Sequence, residues 1–395
     1  MPAGIVGALW GSGAALVVVG VGVLVDRVLL PPITFERTLA TNTETIATTS
    51  TTVVATPTPP AWPMSLDRTR YDAELLGLID YVPPTPATSS GTSTATSSGA
   101  AGRIAATNPL QYSTSSNVTI AGQAWPPAAP YPHGGAILPF ERIIAYYGNF
   151  YSTRMGILGE HPREQVLAQL ASTSAAWEAA DPDTPVRPAI HYIAMVAQAD
   201  AGADGMYRNV MPAEHIERAY DMAKEIDGVM FLDLQVGLST IERELPQFYE
   251  YFTRPDVHLA IDPEFSMKRG NPPGTVIGTF DAADINFAIN WLSDIVRSYQ
   301  LPPKVLVVHR FTQNMVTNYQ DIRPTPEVQV VMHMDGWGPR DLKRSTYRRV
   351  IEPEPVQFVG LKIFYKNDLK PPSTGIFTPE EALDLHPEPV YIQYQ

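Results

Sequence analysis

From about residue 134 to residue 395, short apolar runs alternate with stretches of helical period. The strand-like runs are RIIAYYGNF (142–150), PAIHYIAMVAQ (188–198), GVMFLDLQ (228–235), VHLAIDPEF (257–265), KVLVVHRF (304–311), VQVVMHMDGWG (328–338), FVGLKIFYKND (358–368) and VYIQYQ (390–395). Helical periodicity falls between them, at 162–180, 212–226, 239–252 and 281–300, near 339–349, and at 378–385. Pro212 sits at a helix start, where proline is tolerated, and Asp281 is placed to cap its helix. Eight strands separated by helix or loop, over roughly 260 residues, predict a parallel sheet closed as a single (β/α)8, TIM-type barrel. A doubly wound open sheet fits less well, because GNFYSTRMG after the first strand is not a G-x-G-x-x-G phosphate turn.

The pattern changes upstream. Residues 5–25, IVGALWGSGAALVVVGVGVLV, carry no charge and are long enough to cross a bilayer of about 30 Å as a helix. No Lys or Arg precedes them and Asp26-Arg27 follows, which favours an uncleaved membrane anchor over a signal peptide. Gly7, Gly11 and Ala15 form a small-residue stripe suited to a helix partner in the membrane, although Gly and Ala are common in such helices anyway. Residues 28–133 hold Thr, Ser, Pro, Ala and Gly tracts that cannot bury enough apolar surface to offset chain entropy. They read as a stalk, and the stalk places the barrel on the extracytoplasmic side of the membrane. Within the stalk, LDRTRYDAELLGLIDYV (66–82) predicts a short helix that docks on a partner or on the main domain. The expected division is therefore 1–27 anchor, 28–133 stalk and 134–395 barrel.

Composition narrows the function. A net charge of −13 with no basic run argues against nucleic-acid binding. With no cysteine there can be no disulfide, Cys-ligated zinc, Cys nucleophile or lipobox.

In such a barrel the active site lies at the C-terminal strand ends, and one parity of each strand faces the lumen. Assigning the apolar parity to the helix side turns Tyr147 and Asn149, Asp233 and Gln235, Asp262 and Glu264, His309, His333 and Asp335, Lys362, and Tyr391 inward. The second strand is assigned Tyr192 inward and His191 outward. His133, His161, His215 and His386 are expected at the surface, Trp177 and Trp291 in the shell between helices and barrel, and RDLKRSTYRR (340–349) on a solvated helix face.

This cluster suits glycoside hydrolysis, which needs a carboxylic acid to protonate the leaving oxygen and a second group to stabilise or attack the sugar cation. Glu264 is the candidate acid, with the Asp262 charge beside it raising its pKa. Asp233, Asp262 or Asp335 would be the second carboxylate, and Tyr147, Trp337 and Tyr391 would stack on a carbohydrate or other polyol. DGVMFLDLQ (227–235) resembles the D-x-D strand motif of the chitinase-like glycosidases of family 18, Asp262-x-Glu264 repeats its D-x-E ending, and MHMD (332–335) is similar to that family's Met-x-Tyr-Asp strand. The resemblance implies a catalytic acid, yet Gln235 stands at its place. If the next strand is the equivalent, Glu264 is the acid and Asp262 orients an N-acetyl group.

Other chemistries stay open. His309, His333, Asp335, Asp262 and Glu264 are donors suited to Zn²⁺ or Mn²⁺, but no H-x-H or H-E-x-x-H pattern accompanies them, so no metal or other cofactor is assigned. Lys362 could form a Schiff base, although near carboxylates an ion pair suits it better. A non-catalytic binding or scaffold subunit with a degenerate site is the remaining reading.

Overall fold

The computed structural model describes residues 65–79, 118–120 and 123–395. The predicted anchor and most of the stalk lie outside these residues. Among the described residues no helix is long and apolar enough to cross a membrane.

Eight parallel strands close into a barrel with helices between them. They are β1 (Arg142–Gly148), β2 (Val186–Ala197), β3 (Val229–Leu234), β4 (Val257–Ile261), β5 (Lys304–Arg310), β6 (Val328–Met334), β7 (Phe358–Ile363) and β8 (Tyr391–Tyr394). Each pairs with its neighbour in sequence, and β8 pairs with β1 to complete the ring. A short strand, Arg208–Val210, folds back antiparallel on the end of β2.

The sequence periods account for the layers. Ile144, Ile190, Leu232, Leu259, Val308, Met332, Leu361 and Ile392 point outward into one continuous apolar shell. The helices that cover this shell include α2 (Arg163–Ala180), α3 (Ala213–Glu225) and α4 (Ala282–Tyr299). Helix α4 starts on a capping box of Asp281 and Asp284. Trp177 of α2 is fully buried and donates its indole N–H to Tyr394 Oη at 2.9 Å.

The opposite parity fills the lumen. Ile143, Ala145, Ala189, Phe231, Ala260, Val307, Val331 and Phe358 form a second apolar cluster inside the ring. That cluster also holds Tyr71, Leu75 and Leu78 from the segment read at 66–82, whose helix α1 (Arg68–Gly77) has Asp67 as its N-cap and Leu78 as its C-cap. The helix docks on the main domain and packs with the apolar side chains inside the ring. Trp125 Nε1 donates to Leu75 O at 2.8 Å, and the Glu388 amide donates to Leu78 O at 2.7 Å.

Some surface expectations change. His386 is exposed, but His133, His161 and His215 are half-buried, and His133 Nε2 lies 3.3 Å from Glu327. The basic stretch forms a helix, Arg340–Thr346, that is not purely solvated. Lys343 turns inward, 1% exposed, to pair with Asp368 at 3.0 Å and to bond Gly336 O at 2.9 Å.

Leu75 is 4% exposed and packs in one cluster with the lumen side chains, so Leu75→Ala should leave a cavity and cost about 2–5 kcal/mol. Chemical denaturation of the full-length chain measures this; an unchanged midpoint would mean that the helix is not docked.

Candidate active site

Strand parity places the polar side chains at the C-terminal end of the lumen, above the apolar layers. Asp233 of β3 is fully buried, and neither of its carboxylate oxygens has a hydrogen-bond partner among the described residues. His191 of β2 brings Nε2 to 3.4 Å from Asp233 Oδ2, and His309 of β5 brings Nε2 to 3.6 Å from the same oxygen. Each imidazole is held by its other nitrogen. His191 Nδ1 lies 2.5 Å from Tyr391 Oη and 3.0 Å from Gln393 Nε2. His309 Nδ1 lies 2.8 Å from Asp335 Oδ2. The other oxygen of Asp335 pairs with Lys362 Nζ at 3.1 Å. Lys362 Nζ in turn sits 3.8 Å from the centre of the Tyr147 ring, close enough for a cation–π contact.

His333 is fully buried, neither of its nitrogens is hydrogen-bonded among the described residues, and its ring lies 5.1 Å from those of His309 and Tyr391. Room for it comes from Gly360 on β7, where an added Cβ would stand 2.6 Å from His333 Nδ1.

The inward placement of His191 overturns the parity assigned to β2. Its strand reads Ala189 in, Ile190 out, His191 in, Tyr192 out, and then the register shifts at a bulge between Ile193 and Met195. Tyr192 faces the shell. A tyrosine has both an apolar body and a polar tip, so it did not mark a side.

The Asp262–Glu264 pair also differs from its strand reading. β4 ends at Ile261, and Asp262 caps a single 3₁₀ turn, Pro263–Phe265, by accepting the Glu264 amide on Oδ1 at 3.0 Å. Period 2 therefore does not set the direction of Glu264. Proline suits this turn because it lacks the amide that the turn would leave unpaired. Asp262 is 3% exposed, whereas Glu264 is half-buried.

Burial pushes the Glu264 carboxyl up to about 8, aided by the Asp262 and Asp335 charges and opposed by Lys362 and His309. Asp262 is pushed up to about 7, by burial first and then by Asp233 and Asp335, against His309 and Lys362. For Asp335 burial also favours the neutral form, but Lys362 and His309 outweigh it and hold the carboxyl well below the usual range.

Several expected substrate contacts are placed elsewhere. Tyr391 is fully buried and Tyr147 is 4% exposed, so neither presents a face for a sugar to stack on. Trp337, in the loop after β6, is half-buried with Lys370 Nζ 5.0 Å from its ring. Asn149 is outside the cluster; its amide donates to Ile193 O at 2.9 Å and ties the end of β1 to β2. Gln235 joins the site and also holds the backbone: Oε1 accepts the Ala197 amide at 3.0 Å, and Nε2 reaches Asp262 Oδ2 and Tyr147 Oη at 3.5 Å each. Two clefts of about 470 Å³ lie away from these residues, one lined by Arg70, Glu141 and Arg187, the other by Tyr146, His161 and Tyr365.

No family model matches the chain, and no curated protein matches it in sequence.

Asp262 yields a prediction about pH. Its folded pKa is raised above the unfolded value of about 3.9. The stability it contributes is therefore full below about pH 4 and is lost as pH rises through about 7. Asp262→Asn should raise the melting temperature more at pH 9 than at pH 5. Equal shifts at both pH values in a thermal melt would exclude this.

Proposed function

We propose that the barrel is a hydrolase in which Glu264 donates the proton to the leaving oxygen, and that its substrate is a glycan outside the cytoplasm. The observation that supports this most is the position of Glu264. In a group of four carboxyl side chains Asp233 and Asp262 are buried, whereas Glu264 is partly exposed and leaves the barrel on a turn fixed by Asp262. A proton donor must reach solvent and substrate, and it must stay protonated at working pH. Glu264 meets the first condition by its partial exposure and the second by its raised pKa. Once Asp262 ionises, near pH 7, its charge holds the Glu264 proton to still higher pH. Asp335, fixed between Lys362 and His309, supplies a permanent negative charge at the same mouth.

The glycan assignment also draws on the resemblance of the β3 and β4 segments to chitinase-like strands and on Trp337, the one of the three candidate aromatics left partly open. The N-terminal apolar stretch and the Thr/Ser/Pro tracts support a membrane anchor with the barrel on the extracytoplasmic side.

A general acid works only while protonated, so sugar release from peptidoglycan or polysaccharide fragments should fall as pH rises through about 8. Glu264→Gln should lower kcat by about 10²–10⁴ with the melting temperature retained. A folded variant that turns over as fast as the wild type would exclude Glu264 as the donor. No turnover by the wild type on any glycan would point instead to a binding or scaffold role.

A further inference from the structure

We propose that His191, Asp233 and His309 form a binding site for a divalent first-row cation, with zinc favoured by the donor spacing. The site rests on donor geometry and stands apart from the role given to Glu264.

Three independent strands, β2, β3 and β5, each deliver one donor atom, and all three atoms lie within 4.8 Å of one another. The two imidazole Nε2 atoms stand 3.4 and 3.6 Å from Asp233 Oδ2. Zinc bonds of about 2.0–2.1 Å in a tetrahedron put neighbouring ligand atoms about 3.4 Å apart. Two imidazoles and one carboxylate are a common donor set for such ions, and three protein ligands leave a fourth position for water or a substrate oxygen.

The groups behind the donors fit the same purpose. A ligating histidine usually donates its second N–H to a fixed acceptor, which sets the tautomer and aims the lone pair. His309 does this toward Asp335, leaving its Nε2 free to ligate; His191 Nδ1 is held by Tyr391 Oη and Gln393 Nε2, which aims Nε2 at Asp233. Both Nε2 atoms and both Asp233 oxygens lack hydrogen-bond partners among the described residues. All three side chains are fully buried. A buried carboxylate without hydrogen bonds or a bound cation is costly.

The competing arrangement is an imidazolium at His309 between two carboxylates. It explains the contact with Asp335, but it leaves Nε2 3.6 Å from Asp233, beyond the 2.7–2.9 Å of a charge-assisted bond. It also leaves His191 Nε2 with only a long approach to Asp233, at 3.4 Å.

The test uses the full-length chain, stripped with chelator and then titrated with Zn²⁺ by calorimetry and followed by thermal melting. One equivalent of Zn²⁺ should bind and raise the melting temperature. His309→Gln and Asp233→Asn should each weaken binding at least ~100-fold and abolish the thermal shift. Glu264→Gln should bind Zn²⁺ as the wild type does, whatever its activity on glycans, so the two proposals fail separately. Absence of stoichiometric uptake by the folded wild type would overturn the site, as would uptake unchanged in both ligand variants. Should those variants fail to fold, the wild-type Co²⁺ form decides. Strong tetrahedral visible absorption supports the site, and no binding or weak octahedral absorption overturns it.

Discussion

Closing eight parallel strands into a ring gives every strand an inside, and the inside is too narrow for anything but side chains. The lumen therefore has to be filled in layers, and the chain fills it unevenly. Small and branched residues such as Ala145, Ala189, Ala260, Val307 and Val331 occupy the apolar layers, with Phe231 and Phe358 taking up the remaining volume. The helix that carries Leu75 adds its own apolar face to the same cluster, so a segment embedded in low-complexity sequence becomes part of the core. With its apolar layers packed, the barrel lumen gathers its charged side chains toward the strand C-terminal ends, where Asp233, His309 and Lys362 are found with His333, while His258 and Gln329 nearer the N-terminal ends are each hydrogen-bonded to backbone. Site and core are consequences of one closure.

The same constraint explains what could be read without coordinates. Along β3, β6, β7 and β8 one parity is uniformly aliphatic or aromatic, and on β5 Leu306 and Val308 mark the outer side between Lys304 and Arg310, so the other parity could be assigned to the lumen, and Asp233, His309, His333, Lys362 and Tyr391 are all there. On β2 the residues Ile190, His191, Tyr192 and Ile193 offer no clean alternation, and His191 was turned the wrong way. A signal was available: Ala189 is the small residue that the crowded lumen requires, and it shares parity with His191. The direction of Glu264 was argued wrongly for a different reason. The proline between Asp262 and Glu264 marks where pairing stops, so a period-2 argument cannot extend past Ile261. The role of Asn149 as a backbone tie was hidden because it depends on where β2 lies beside β1, a tertiary fact with no local pattern.

Charge sets the next limit. Asp233 and Asp335 favour the ionised form, and for each of them burial is outweighed by His309 and Lys362 among other neighbours. Asp262 and Glu264 instead hold their protons to higher pH. Four ionised carboxylates around one lysine would leave a strong net negative charge in a space almost closed to solvent. Dividing them into two charged and two neutral groups removes most of that repulsion. The division follows position: the charged pair contacts cationic or potentially cationic side chains, and the protonated pair lies on the turn after β4.

Gln235 follows from this balance. It occupies the place where the chitinase-like pattern would put an acid, one turn of the pleat beyond Asp233. Its amide oxygen takes the Ala197 N–H, which fixes the end of β2, while its amide nitrogen points to Asp262 and to Tyr147. A carboxylate here could keep the first contact and could accept from the Tyr147 hydroxyl, but when ionised it would lose the donation to Asp262. It would also add a fifth acid beside Asp262, which already resists ionisation. A neutral side chain that accepts on one side and donates on the other is what this position requires. In the proposed hydrolase the proton donor would then stand one strand along, at the partly exposed Glu264.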